Sequence, residues 1–434
     1  MILFAFVMMF SLMLGLIASR HQKDYLLADR SVRWPLLLGT LIGTQVGAGF
    51  IIGTTDTVWK FGPIGSFYGL GLALGLLGLG LGYAKRLRRS DVHTLPELLM
   101  KKFGSASFQK VASILSILSM WGVLVAHAVG LKTFLLSLGY THGIMFLLSW
   151  GCVILYTTLG GYLAVVWTDV VQSIAIVSVL TIMFISLLFP NWEIISAQAS
   201  TAQHMLDGTT FSTLFAPMAF IFVAPHMVQR CFSAQTPHDA SRACTLTAAI
   251  LVVLTIVPLG CGMLGRSFGF SLSEGAIFMQ VARKLATPLV FTCASAAVLL
   301  ALISTTSSVL LAITSNVVKD IPKFENSGKS VTLLVGIAAF CISPLSHDIV
   351  GCLVAAYEIC IATLLVPVVA AVYTKQRELP AQAAWWSAAC GIVGLVVHYF
   401  VSAWWSSFIP VLCSAFSYYV VSLVPRPKVL VLEE

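Results

Sequence analysis

The sequence predicts an all-α, polytopic membrane protein, and three observations carry that prediction. Of the 434 residues, 58% are hydrophobic and only 10% charged, whereas a soluble domain has about 45–50% apolar and about 25% charged residues. Mean hydropathy is +0.95. The apolar residues also gather into stretches of bilayer-crossing length, about 20 helical residues for about 30 Å of hydrocarbon. A soluble enzyme, a disordered scaffold and a nucleic-acid-binding module are excluded by this composition.

Thirteen spans are expected, near 2–18, 35–56, 64–84, 108–138, 143–160, 165–189, 211–228, 243–265, 287–318, 329–346, 348–373, 382–402 and 407–424. The first has no basic residues before it, its charges follow the apolar run, and no small-residue cleavage site is evident, so it is expected as a retained helix. Span 35–56 is interrupted by Gly43, Thr44, Gln45 and Gly47, poor helix formers mixed with polar groups. Span 64–84 carries the small-residue pairs Gly71–Gly75 and Gly78–Gly82, which suit close helix packing. Gly160-Gly161 forms a tight turn between the fifth and sixth spans. Pro225-His226 breaks the short 211–228 span. Between spans, Ala84–Gln109 and Pro190–Thr210 each have room for one short amphipathic helix, so residues 1–434 read as a single transmembrane domain.

The net charge of +8 is a topology signal. With the N-terminus outside and the C-terminus cytoplasmic, 20 of the 25 Lys and Arg residues fall inside, Arg230 among them. Only Lys60, Lys132, Arg266, Arg283 and Lys284 fall outside or near the outer ends. No nucleic-acid partner is expected; the lipid bilayer is the partner that composition implies. The ten cysteines form no CxxC pair, so they read as small core residues, neither a disulfide framework nor a zinc site.

Polar residues inside spans mark the candidate chemistry. An unwound stretch at Gly43–Gly49 needs a cavity for its freed carbonyls, and such carbonyls coordinate coupling ions in transporters; close packing of small residues is the alternative. Ala301, Ser304 and Thr305 share one helical face, and two hydroxyls with a freed carbonyl make a neutral oxygen cluster suited to a hard monovalent cation. Against that, membrane Ser and Thr commonly bond their own helix. Asp169 and Gln172 lie near a helix N-terminus, where a carboxylate is stabilised, or they cap the helix. Glu358 lies about ten residues into a span, where an acid is expensive; it reads as a cation partner, a proton relay or a protonated hydrogen-bonded group. Trp121 and His127 belong to the long 108–138 span. There is no nucleophile–base motif, paired-carboxylate site, Walker lysine or HExxH, so no enzyme is expected.

Five stretches carry a family resemblance. Asp24–Ser31 (DYLLADRS) resembles the DYFLAGRS entry to the first core helix of the sodium:solute symporter family, with Asp29 in place of the usual glycine. Thr94-Leu95-Pro96-Glu97-Leu98 resembles the family's inner loop. Gly160–Gln172 (GGYLAVVWTDVVQ) is the most specific match, Pro225–Arg230 with Ser233-Ala234 resembles the sixth core helix and its exit, and Ala301–Asp320 resembles the eighth. The matches run in order over roughly residues 24 to 320.

The resemblance implies a leucine-transporter-type fold of two inverted five-helix repeats, 35–189 and 211–373, with 2–18 leading and 382–424 peripheral. It implies a coupling sodium ion held by the carbonyls of Gly43, Val46 and Ala301 and the hydroxyls of Ser304 and Thr305. Asp169 matches an acid near the family's sodium path. Ser308 could support a second sodium, but Ser307 stands where several relatives carry an acid, and no second site is expected. Thr44, Gln45, Trp121, His226 and Glu358 are the solute-pocket candidates. The Pro225-His226 pair resembles proline-type members; Trp121 and Glu358 have counterparts in choline-type members, while Gln45 stands where those place a cage tryptophan. The expected function is sodium-coupled import of a small polar solute across a bacterial inner membrane. An amino acid such as proline or a quaternary amine is expected ahead of a sugar or carboxylate. A proton-coupled carrier using Glu358 or Asp169, or a non-accumulating sensor or channel, are the alternatives.

Overall fold

A computed structural model of the chain describes residues 30–140, 143–201, 208–324, 327–342, 348–374, 379–401 and 403–423, together with residues 9, 13, 17, 26 and 27. The expected leading helix 2–18 and the boundary at Ser346 therefore lie almost wholly outside the described residues. The described chain is helical, and its one β contact is an isolated parallel bridge between Val32 and Ala234.

In chain order the helices are α1 Trp34–Gln45, α2 Thr54–Phe61, α3 Phe67–Gly78, α4 Ala84–Arg89, α5 Leu95–Phe103, α6 Ala106–Ser137 and α7 Gly143–Met183. There follow α8 Trp192–Thr201, α9 Gly208–Phe220, α10 Pro225–Ser233, α11 Pro237–Leu254, α12 Ile256–Ser267 and α13 Ile277–Leu285. The series closes with α14 Pro288–Asp320, α15 Gly328–Ile342, α16 Ile349–Tyr373, α17 Ala381–Phe400 and α18 Ile409–Leu423.

Several boundaries follow from local chemistry. Thr94 caps α5 by accepting from the Glu97 amide, with Pro96 in the first turn, and Gly104 ends the helix at φ 64°. Thr287 caps α14 ahead of Pro288, and Thr236 caps α11 ahead of Pro237. Helix α7 has 41 residues, which if straight would extend about 62 Å, twice a bilayer core. Gly161, at φ 63° and ψ −167°, turns it back, so the expected loop between the fifth and sixth spans is a single broken residue. The amphipathic α13 is an addition to the expected spans: Ile277, Phe278, Val281 and Ala282 are buried, and its first amide donates to Asp56 Oδ1 at 3.1 Å.

Two breaks interrupt helices. Helix α1 stops at Gln45, and Val46 to Ala48 lead into a π-helical turn at Gly49–Gly53 before α2. Helix α9 stops at Phe220, and Ala224 takes an extended conformation ahead of Pro225, as a residue before proline must. The lower halves are tied together, because Val32 N–H donates to Ser233 O (3.2 Å) and Gln235 N–H to Val32 O (2.8 Å). Helix α14 is the central pillar, with 94% of its most apolar window buried, against 33% for α17 and 22% for α18. It packs on α7, α6 and α1. The glycines of α3 do serve close packing: a Cβ at Gly75 would lie 2.6 Å from Met218 O, and one at Gly71 would strike Leu214 O. Gly82 is different; it is open to space but sits at φ 133°.

Candidate functional site

The break in α1 meets the polar face of α14. Thr305 Oγ1 lies 3.0 Å from Thr44 O, 3.1 Å from Ala301 O and 3.5 Å from Gly43 O. Ser304 donates to Asp169 Oδ1 at 2.5 Å. Gly43 is small for a reason, since a Cβ there would lie 2.8 Å from Ser304 Oγ and 3.0 Å from Asp169 O. Gly47 likewise lets Thr305 and His127 approach the chain. Val46 is fully buried at the first residue beyond α1, its amide still donating to Ile42 O at 2.9 Å. Gly43, Ala301, Ser304, Thr305 and Asp169 thus converge at one junction of α1, α7 and α14, with Val46 at its edge.

Asp169 is fully buried, and its partner is one that the sequence reading misplaced. Arg230, counted there as an inner basic residue, is 1% exposed and reaches into the bundle from α10. Its Nη2 donates to Asp169 Oδ2 (3.0 Å) and Ser308 Oγ (2.6 Å), its Nε to Thr40 Oγ1 (3.1 Å) and its Nη1 to His226 O (2.8 Å). Thr40 in turn donates to Asp169 Oδ2 at 2.6 Å. The group ties α1, α7, α10 and α14 together one helical turn from Ser304 and Thr305, towards the basic loops. One signal pointed to a buried Arg230 but not to its partner: five residues beyond the Pro225 break it is still at membrane depth, where a lone cation needs an acid. Thr40 gave no such signal.

The solute candidates separate. Thr44 faces the α1–α14 junction, donating to Thr40 O (2.7 Å) and lying 3.2 Å from Ser308 Oγ. Gln45 Nε2 donates to Met227 Sδ (2.7 Å), and His226 Nδ1 lies 3.3 Å from Met120 Sδ, so these two occupy the space between the breaks. Trp121 is on α6, and its indole N–H is buried without a partner among the described residues. Glu358 is elsewhere. It accepts from Tyr399 OH (3.0 Å), lies 3.5 Å from His398 Nε2, and lines a cavity of about 520 Å³ with Lys60 and Asp348. An aromatic layer that sequence reasoning missed adjoins the α9 break: Tyr68 OH meets Tyr357 OH at 2.9 Å, and Phe220, the last residue of α9, stacks on Tyr357 at 4.1 Å.

The arrangement resembles known transporters. The fold matches that of a sodium-coupled sialic acid symporter with TM-score 0.80, at 18% identity and 98% coverage of both chains. It matches Mhp1, a nucleobase-cation-symport-1 family transporter, with TM-score 0.60 at 14% identity, covering 93% of this chain and 94% of that one. In sequence, the sodium/proline symporter of Escherichia coli is 25% identical over 342 residues, 72% of this chain and 68% of its own. The high-affinity proline transporter of Bacillus subtilis is 26% identical over 364 residues, 76% of each chain. The high-affinity choline transporter 1 of Caenorhabditis elegans is 24% identical over 268 residues, 59% of this chain and 46% of its own. The fold is therefore all-α and of the transporter type expected, and the chain is an integral membrane transporter and not an enzyme. The model of the sodium:solute symporter family matches residues 25–330, and the chain belongs to that family.

Proposed function

We propose that this chain imports a small polar solute by alternating access, driven by one sodium ion bound among Gly43, Val46, Ala301, Ser304 and Thr305. One observation carries the reading: the Thr305 hydroxyl meets the carbonyls freed at the α1 break, beside the Ser304 hydroxyl. Neutral oxygens so placed suit a hard monovalent cation at the midplane. The two inverted repeats would be 35–189 and 211–373, each broken once, at α1 and at α9–α10.

Sodium at the junction holds α1 to α14, which favours the state open to the outside. The aromatic layer of Tyr68, Tyr357 and Phe220 closes that side once solute is bound. On the other side the Asp169–Arg230 group must part before ion and solute leave. Because Val32 is bridged to the end of α10, the lower halves of both broken helices swing together. A charge crossing 100 mV gains about 2.3 kcal/mol, enough with a sodium gradient to concentrate solute.

The solute rests on Gln45, His226 and the unpaired Trp121 N–H, which offer hydrogen bonds and a single aromatic face. That set suits a compact amino acid such as proline better than a quaternary amine, which needs an aromatic cage. Thr44 acts on the ion side and Glu358 outside the pocket. The basic loops would face the cytoplasm of a bacterial inner membrane. Proton coupling through Asp169 is disfavoured, since protonation would strand Arg230 as an unpaired buried cation. Uptake of labelled L-proline into proteoliposomes, with sodium or with only a pH gradient, tests the reading. Uptake that requires sodium and collapses in Ser304→Ala or Thr305→Ala is expected; uptake that follows the pH gradient alone would overturn it.

A further inference from the structure

Helix α14 carries a small and polar stripe below the ion junction. Ser304, Ser308, Ala312 and Ser315 follow at spacings of four, four and three, so they line one face. Ser304 and Ser308 belong to the Asp169 group already described. Ser315, seven residues and about 10 Å further along the helix, does not.

Ser315 and its neighbour Asn316 border a small cavity of about 10 Å³, which Gln229 closes from α10 and Thr94 and His93 close from the start of α5. Ser315 is 2% exposed, Asn316 3% and Gln229 3%. Ser315 Oγ, Asn316 Nδ2 and Gln229 Oε1 are all buried without a hydrogen-bond partner among the described residues. An unsatisfied buried polar group costs about 1–3 kcal/mol, and here three face one space that holds a single water-sized particle. A polar occupant would satisfy all three groups.

The surroundings select a cation. No Lys or Arg lines the cavity. Thr94, which does, donates to Asp320 Oδ1 at 2.8 Å, so a nearly buried carboxylate stands just beyond it. Gln229 and Ser315 offer oxygens directly, and the Asn316 amide offers one once turned about its last torsion, an assignment that hydrogen bonding decides. Gln229 is also the residue before Arg230, so the half-helix that releases Asp169 carries one wall of this cavity with it. We propose that the cavity is a release station for the coupling sodium ion, which Gln229, Ser315 and Asn316 hold after it leaves the α1–α14 junction. This rests on the sodium-coupled reading of the junction above.

The test uses the full chain, with ²²Na⁺ as probe in two measurements: equilibrium binding to purified protein, and exchange across proteoliposomes with and without L-proline. Asn316→Leu should bind ²²Na⁺ with unchanged half-saturation yet exchange it about tenfold more slowly, the effect of losing one oxygen from a charged ligand. Asn316→Ser, small and polar, should exchange near the wild-type rate. Wild-type exchange in Asn316→Leu would overturn the station, because a cavity holding only structural water tolerates apolar filling. Equal slowing in Asn316→Leu and Asn316→Ser would also overturn it, pointing to packing. Unchanged ²²Na⁺ binding in Ser304→Ala would instead sink the sodium junction, a result distinguishable from either.

Discussion

Asp169 and Glu358 are two acids inside apolar spans, and the sequence argument treats them alike. The structure does not. Asp169 is fully buried, held by Arg230, Thr40 and Ser304, and joins four helices beside the α1–α14 junction. Glu358 is 9% exposed, held by a tyrosine hydroxyl and approached by a histidine, and looks into a large cavity. An intramembrane charge is expensive, so each of the two acids needs a partner. The partner separates them: a guanidinium ties Asp169 into a four-helix group, whereas Glu358 has a phenol for a partner and a cavity beside it.

Removing each charge separates the two. Asp169→Asn leaves Arg230 buried and unpaired, a loss of about 3–5 kcal/mol, which should appear as a large drop in thermal unfolding temperature in detergent. Glu358→Gln keeps a hydrogen-bond acceptor for Tyr399 and should change stability by no more than about 1 kcal/mol. Pairing Asp169→Asn with Arg230→Met should restore much of the stability while abolishing coupling, since an apolar replacement of similar length leaves no charge stranded. Equal effects of Asp169→Asn and Glu358→Gln would erase the distinction.

A smaller effect is expected at the edge of the junction. Gly43→Ala places a methyl 2.8 Å from Ser304 Oγ and 3.0 Å from the Asp169 carbonyl. The hydroxyl must yield, and half-saturation for sodium should rise about tenfold, the equivalent of one weakened ligand. The same substitution at Gly82, open but at φ 133°, should strain the backbone and leave sodium affinity alone.

The smallest expected effect lies on the basic-loop face. Burial acts to raise the pKa of Glu97, but the imidazole and amide of His93 and the amide of Thr94 outweigh it and hold the carboxyl below its usual range. A carboxyl with a depressed folded pKa contributes stability above its unfolded pKa, about 4.3, which is lost as pH falls through the lower folded value. Unfolding measured from neutral pH down through that window should therefore show a slight acid-side loss that Glu97→Gln removes. No change in the pH profile would exclude the contribution.

How far the sequence reaches is also shown by the two acids. The spans within the described residues, the two breaks and the hydroxyl face of α14 were legible because they follow from hydropathy, glycine, proline and helical spacing, each a local property. The convergence of Gly43, Ala301, Ser304 and Thr305 was legible through family resemblance. The Arg230–Asp169 pair, 61 residues apart in sequence, and the aromatic layer of Tyr68, Phe220 and Tyr357 were not read. Nothing local to those residues says which helix faces which. Glu358 was assigned to the solute pocket because membrane depth was visible and lateral position was not. The amphipathic α13 was hidden inside an apparent loop because nine residues are too few to stand out by hydropathy.

The central claim is that neutral oxygens at the α1–α14 junction bind sodium, and it can be measured without knowing the solute. Equilibrium ²²Na⁺ binding to the purified chain should be saturable in the wild type and in Glu358→Gln. It should be lost in the double variant Ser304→Ala with Thr305→Ala, provided that variant keeps its unfolding transition. Saturable binding retained by a folded double variant would contradict the account.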